Sequence, residues 1–427
     1  MNFITLVIGK IIIKLSRLAG HSGTALAGKI METLNPRLLN SLNKQIPEGV
    51  IVVTGTNGKT TTTKMIVELL ESEEAKVFTN KSGSNFTRGI LSAMADKATI
   101  FGRLNYDIAV LELDEAYFKH FAKRVNPRVA LVTNLFRDQL DRYGEVATTA
   151  DHIRQALRYS ESAVLYAGDP QVVDLKSALP NDAKVTYFGV SAKLRKQLPN
   201  DNELHGDAEA KKVSAPDSLV SLQKFKVTKG VSKATFKSDK NSHDTTLQLR
   251  GTYNALNATA AVAVVKSLIP AIPSKRLIGA LSEIRPAFGR GEVFKVNDAQ
   301  VIFGLVKNPA GFNQNIKTLV TSSTKKLLII INDNFADGRD VSWLWDVDVD
   351  PLSKFKGKIY IAGIRAEDMA LRLKYAGIKY EQVSHDPVGL FNELTESKGE
   401  LAVLPTYTAM MGLRKTMQAS GLEKEIY

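Results

Sequence analysis

Short blocks of β-branched and other apolar residues punctuate the chain at regular intervals. In the first half they fall at residues 50–54, 107–113, 129–133 and 163–167, with helix-length stretches between them. Blocks without polar alternation, spaced this way, predict a parallel sheet covered by helices on both faces. A second series at 301–306, 326–331, 358–362 and 401–404 predicts a smaller Rossmann-like α/β unit. Helical periodicity is plain at 61–71 and at 253–269, the latter rich in Ala and Val. The expected fold class is α/β, in three parts: a helical segment over 1–45, a central parallel-sheet domain over 46–295, and a second domain over 296–427. The boundary is expected near 286–300, at the Pro-Ala-Phe-Gly-Arg-Gly stretch of 286–291. A length of 427 residues suits two or three such domains.

The N-terminal residues 3–19 are apolar except for a few positions. Lys10, Lys14 and Arg17 stand at i, i+4 and i+7, one stripe of a helix. No basic segment precedes the apolar run, as a signal peptide would require. The expectation is an amphipathic helix packed on the domain behind it, whose basic stripe leaves peripheral contact with an anionic membrane open. No stretch approaches the roughly 18 uninterrupted apolar residues of a membrane span.

Residues 193–245 break the pattern. They are rich in Lys, Ser and Asp, and only 222–227 and 233–237 read as strands, so a polar, solvated insertion is expected. The chain holds no Cys, which excludes disulfides, thiol nucleophiles and Cys-ligated zinc. Its 57 Lys and Arg outnumber 44 Asp and Glu, a net charge of +13 that suits an anionic ligand. The cations are dispersed and no nucleic-acid-binding motif accompanies them, so no nucleic-acid partner is expected.

The chemistry-bearing signal follows the first block. Gly55, Thr56, Asn57, Gly58, Lys59, Thr60 and Thr61 link a strand directly to a helix. Backbone N–H groups of such a turn, backed by a helix N-terminus, cradle phosphate oxygens. Lys59 would reach the terminal phosphates of ATP or GTP and the Thr60 hydroxyl would hold Mg²⁺. Val53 stands where the usual phosphate loop has its first Gly.

This Thr-Gly-Thr-Asn-Gly-Lys-Thr-Thr form resembles the superfamily of Mur ligases and folylpolyglutamate synthase. Further segments agree in order. Glu112, at a strand end, resembles that superfamily's Mg²⁺-binding carboxylate. Residues 133–144 resemble its T-N-x-x-x-D-H-L-D motif, with Gln139 in place of a His that often serves a second metal. Asn257 matches an adenine-contacting Asn, and Arg290 an Arg at the hinge to the C-terminal domain. Many relatives also carry a carbamylated lysine past the D-H-L-D motif, whereas residues 146–157 contain no Lys.

Three later segments, at 305–311, 332–346 and 405–410, resemble one branch, the MurT family of synthetase subunits. Several relatives carry a four-Cys zinc ribbon where 193–245 lies; none can form here. The resemblance implies ATP-dependent amidation of the α-carboxylate of D-Glu in the lipid II stem peptide, through an acyl phosphate, in the cytoplasm at the inner face of the plasma membrane. It implies Asn57 near the γ-phosphate, with Lys307 and Asn308 facing the substrate carboxylate. It also implies a separate GatD-type glutaminase whose Cys–His pair is completed in trans by an acidic residue of this chain. Asp340 is the first candidate, Asp337 the second, and Asp346 the third; for each, a helix cap or loop ion pair is the plain alternative. Trp343 and Trp345, the two tryptophans, flank these acids and suit either an interface or a core. A folylpolyglutamate synthase-like amino-acid ligase is the competing expectation.

Overall fold

The computed structural model describes residues 2–18, 24–80, 85–137, 146–205, 215–228, 231–286, 289–320 and 324–419. Three helices open the chain: α1 (Asn2–Leu18), α2 (Thr24–Leu34) and α3 (Leu38–Asn43). Then come β1 (Val50–Thr54), α4 (Lys59–Glu71), β2 (Val77–Thr79), α5 (Thr87–Lys97), β3 (Ile108–Glu112), α6 (Glu115–Val125), β4 (Val129–Val132), α7 (Val146–Leu157), β5 (Ser162–Tyr166) and β6 (Lys184–Val190). The N-terminal segment is thus a three-helix unit, and α1 coincides with the amphipathic helix expected over 3–19. Its Leu6, Ile13, Met31, Leu38 and Leu42 share a core with the β1, β3 and β4 strands.

A nine-stranded sheet runs in the order β2-β3-β1-β4-β5-β6-β7-β8-β9. It is parallel from β2 to β7, with Val52 of β1 opposite both Leu111 and Ala130. β1 is buried along its whole length, which is why it reads as an unbroken apolar block. β3 and β4 flank β1 on opposite sides, so the chain reverses direction across the sheet there. Ligands of open α/β sheets sit outside strand C-termini at such a point.

The polar segment corrects the expectation of a solvated insertion. β7 (Val220–Thr228), β8 (Val231–Ser238) and β9 (Asn241–Leu247) continue the same sheet as an antiparallel ribbon. Leu222, Ala234, Phe236 and Leu247 are buried and join the main core, Ser232 and Ser238 are buried on the same face of β8, and the intervening Lys233 and Lys237 face water. Half-exposed antiparallel strands bury only every second residue, so their composition looks polar. The long helix α8 (Thr252–Leu268) is buried on nearly every side, which its Ala and Val content permits.

The second sheet comprises β10 (Arg290–Val296), β11 (Ala299–Gly304), β12 (Lys326–Ile330), β13 (Lys358–Ala362), β14 (Gln382–Ser384) and β15 (Gly399–Pro405), in the order β10-β11-β15-β12-β13-β14. All pairs are parallel except β10 with β11. This sheet begins at Arg290, inside the stretch expected to hold the boundary, so β10 belongs to the second domain although the expected division lies at 295/296. β10 is a half-exposed edge strand carrying Arg, Glu and Lys, so hydrophobicity does not mark it. Helices α9 (Pro309–Val320), α10 (Ala366–Tyr375), α11 (Pro387–Thr395) and α12 (Tyr407–Ala419) cover it, with one apolar cluster on each face. No helix among the described residues is long and apolar enough to cross a membrane.

Candidate active site

The two sheets border a cleft of about 870 Å³. The turn after β1 forms one wall. Gly55 and Gly58 have φ of 113° and 87°, backbone that side-chain-bearing residues rarely adopt. A Cβ on Gly55 would lie 2.4 Å from the Thr133 hydroxyl, and one on Gly58 2.5 Å from Asn257 Oδ1. The loop is held from the end of β4. Asn57 N–H donates to Asn134 Oδ1 at 2.9 Å, Asn134 Nδ2 donates to the Asn57 carbonyl at 2.9 Å, and the Thr133 hydroxyl donates to that same carbonyl at 2.8 Å. Thr56 is tied to Phe136 in both directions, at 3.1 and 3.0 Å. The first N–H groups of α4 thus open onto the cleft from a braced loop, the geometry of a phosphate cradle.

Lys59, buried at the start of α4, donates to the Gly55 carbonyl at 2.7 Å and to Glu115 Oε1 at 3.0 Å. Glu115 opens α6 and is itself buried. A buried ammonium without a nearby anion is costly, and this carboxylate offsets that cost for Lys59. Thr60 lines the cleft, and among the described residues its hydroxyl has no side-chain hydrogen bond. Glu112 ends β3 on the opposite side. Asn80 clamps the Glu112 backbone, accepting from its N–H at 3.0 Å and donating to its carbonyl at 2.9 Å. No group of three or more His, Cys, Asp or Glu suited to a metal occurs among the described residues. One carboxylate and one hydroxyl beside a phosphate cradle is, however, the donor set Mg²⁺ uses when phosphate oxygens and water complete its shell.

Asn257 on α8, Arg290 and Lys307 line the same cleft. Burial pulls the Arg290 pKa down, while the Glu112 and Tyr253 charges oppose this. Beside it, Glu292 is pushed up by burial and pairs with Arg414, which is packed between Phe294 and Phe303. Asn308 lies fully buried behind the wall. Its Oδ1 accepts from Gly311 N–H at 2.9 Å, capping α9, and its Nδ2 donates to Asn57 Oδ1 at 3.1 Å. That amide contact joins the phosphate loop to the second sheet.

The acidic candidates separate clearly. Asp337 is buried, and its carboxylate accepts from Thr408 N–H at 2.7 Å, Thr408 Oγ1 at 2.5 Å and Asn334 N–H at 3.2 Å. It fastens the 332–337 loop to the start of α12. Asp340 is partly exposed and accepts from Ser342 N–H at 2.8 Å. Asp346 is exposed, and neither it nor Asp340 lines the cleft. Of the tryptophans, Trp343 is buried against Phe312, whereas Trp345 is half-exposed beside Tyr375. Phe335, in the same loop, is 93% exposed. Gln139 lies outside the described residues.

Sequence reasoning missed Glu115, Asn80 and Asn134. Asn134 stood inside a recognised motif, and Glu115 three residues after Glu112. Asn80 carried no signal, because its role arises only where β2 and β3 meet.

Residues 53–265 match the Mur ligase middle domain family, and residues 305–410 match the MurT ligase C-terminal family. The lipid II isoglutaminyl synthase (glutamine-hydrolyzing) subunit MurT of Streptococcus pneumoniae is 31% identical over 94% of this chain and 94% of its own. MurF of Acinetobacter baumannii superposes with a TM-score of 0.69 over 95% of this chain and 82% of its own, at 19% identity. Mycobacterium tuberculosis folylpolyglutamate synthase, complexed with ADP, superposes at 0.64 over 90% and 94%, at 17% identity. The structural matches establish the Mur ligase fold, and the full-length sequence match is specific: the chain belongs to the MurT family of ATP-dependent, Mur-type ligases.

Proposed function

We propose that this chain is the synthetase subunit that amidates the α-carboxylate of D-Glu in the lipid II stem peptide, using ammonia from a GatD-type glutaminase. The observation that carries this reading is that the phosphate loop and Lys307 line one cleft while Asn308, buried behind the wall rather than facing an acceptor carboxylate, ties the loop to the second sheet, in a chain 94% of which matches a lipid II isoglutaminyl synthase subunit. A carboxylate is a poor electrophile. Its oxygen attacks the γ-phosphorus of ATP, and ADP leaves, giving an acyl phosphate. Ammonia then attacks the acyl carbon, and phosphate departs as the amide forms. Charge accumulates on the transferring phosphoryl group, so positioned cations and N–H donors do most of the work.

In this reading Lys59 leaves Glu115 for the β- and γ-phosphates, and Gly55 to Thr61 cradle them. Asn57 is placed beside the γ-phosphate, Asn257 beside adenine and Arg290 near the nucleotide, while Lys307 faces the acceptor carboxylate. Thr60 and Glu112 would hold Mg²⁺, which supplies charge neutralisation of the phosphates. Asp340 would orient the glutaminase His, because its carboxylate is reachable while that of Asp337 is already occupied. Phe335 and Trp345 would flank that contact, as exposed aromatics at interfaces do. The chain would work in the cytoplasm, touching the membrane only peripherally.

The test is amidation of lipid II with ATP, Mg²⁺ and ammonium chloride, by this chain alone and then with glutamine and the glutaminase. Product in both, with glutamine use dependent on the partner, is expected, and Lys59→Ala should abolish both. ADP release driven by glutamate but not by ammonia would overturn the reading in favour of an amino-acid ligase.

A further inference from the structure

The cations of α1 do not form the free basic stripe that their spacing suggests. Lys10 donates to the Asp96 carbonyl at 2.9 Å, and Arg17 pairs with the Asp96 carboxylate at 2.8 Å. Two of the three cations therefore tie the helix to α5. Thr5, Leu6, Gly9 and Ile13 face the protein, with Gly9 set close against Met31. The face left to water is apolar. Ile4, Ile11, Leu15 and Leu18 are 53–77% exposed and fall on one side of the helix, flanked by Phe3. Lys14 projects beside them and is exposed.

A second element extends this surface. The turn at 99–103 is closed by Gly102 N–H to the Thr99 carbonyl and Arg103 N–H to Thr99 Oγ1, which puts Ile100 and Phe101 at its tip. Phe101 is 73% exposed and stacks on Phe3, with ring centroids 5.7 Å apart. A contiguous exposed patch of this kind marks an interaction site.

We propose that α1 and the 99–103 turn form a docking surface for an anionic lipid bilayer, with α1 lying flat in the headgroup region. Charge selects this occupant. Residues 1–31 contain no Asp or Glu. The neighbouring acids are already engaged: Asp96 by Arg17, and Glu32 by Arg88 and Arg124. Lys14, Lys97 and Arg103 are exposed and have no ion pair among the described residues. An apolar face with basic neighbours and no acid fits a bilayer carrying anionic headgroups. Isologous pairing with a second copy would instead bring like charges together. The surface deepens the peripheral membrane contact proposed above and takes its purpose from a lipid-linked acceptor, but docking itself is measurable without turnover.

The experiment is sedimentation of the full chain with vesicles of phosphatidylcholine, with and without about one quarter phosphatidylglycerol. The parent should co-sediment with the anionic vesicles and far less with the neutral ones. Ile11→Glu with Leu15→Glu should weaken this about 10-fold or more, and Lys14→Glu about five-fold. Phe101→Ser, on a separate element, should weaken it several-fold and carries the test if the double variant melts early. Ammonium-driven amidation of a water-soluble stem-peptide acceptor should be unchanged in all three variants. Failure of the parent to bind, or equal binding by the variants, would overturn the docking surface. So would a parent dimer that the double variant dissociates without any lipid binding, which would assign the face to a second copy. Vesicle binding without amidation of any stem peptide would leave the docking standing and remove the acceptor reading.

Discussion

Two buried contacts decide how individual side chains behave here. Lys59 and Glu115 are both almost inaccessible, with side chains 8% and 5% exposed. Removing one member of a buried pair leaves the other uncompensated, typically at about 3–5 kcal/mol. Glu115→Gln keeps an acceptor but loses the charge, so it should fall at the low end of that range. Calorimetry should show a lower melting temperature without nucleotide and a larger upward shift on adding ATP than in the parent, because phosphate then takes over the pairing. Unchanged melting in both states would show that the pair contributes nothing. The acids of the 332–346 loop give a second contrast. Asp340→Asn keeps the Oδ1 that accepts from Ser342, so the loop should hold, ammonium-driven amidation should persist and glutamine-driven amidation should vanish. Asp337→Asn turns an acceptor of three donors into a group that also donates, so it should destabilise by about 1–3 kcal/mol and depress both activities together. Equal loss from Asp340→Asn in the two assays would remove it from the partner's site.

At the scale of single elements, one helix cap should make stability depend on pH. Asp169 caps the short helix Pro170–Asp174, accepting from Gln171 N–H at 2.9 Å. Burial pushes its pKa up from 3.8 to about 6, against the pull of that N–H and of Arg195. The folded chain therefore holds the proton more tightly than the unfolded chain. The resulting stabilisation is full below about pH 4 and is lost as pH rises through about 6, roughly 3 kcal/mol in all. Asp169→Asn keeps the capping oxygen and cannot ionise. Its stability relative to the parent should rise between pH 4 and 7, as followed by urea unfolding; a difference independent of pH would place the charge in water. Elements also show what was legible before folding. β1, β3, β4 and β5 could be read because both faces of a central parallel strand are buried, which leaves an unbroken apolar run. β2 is three residues long, and β6, β9 and β10 are only partly buried, so their composition resembles that of loops, whereas β7 and β8 could be read in part, at 222–227 and 233–237. The phosphate loop was legible because glycine and lysine spacing is local. Glu115 and Asn80 were not, since their roles come from neighbours 56 and 32 residues away.

Across the whole molecule, the cleft exists only because two sheets present their strand C-termini to each other. Several contacts fasten them: Lys64 to the Pro286 carbonyl at 3.1 Å, Arg250 to Glu400 at 3.4 Å, and the Asn57–Asn308 amide pair. The Arg250–Glu400 pair lies outside the cleft lining, whereas the amide pair connects the phosphate loop to the cap of α9. It therefore fixes where the acceptor side of the cleft stands relative to the γ-phosphate. Serine also caps helices, so Asn308→Ser should preserve an acceptor for Gly311 N–H while losing the reach to Asn57. The loss of the two neutral hydrogen bonds between these amides should cost about 1–2 kcal/mol in stability. Misplacement of the reacting groups by about 1 Å can cost roughly 100-fold in rate, because effective molarity depends on alignment. The expected outcome is a fall of at least about 10-fold in kcat for ammonium-driven amidation. ATP affinity, read by fluorescent-nucleotide displacement, should stay within about three-fold, since the loop remains braced by Thr133 and Asn134. A parallel loss of ATP affinity would mean that Asn308 shapes the phosphate cradle itself. An unchanged kcat would mean that alignment of the two sheets is carried by the outer contacts, and Arg250→Ala would then be the variant that slows turnover.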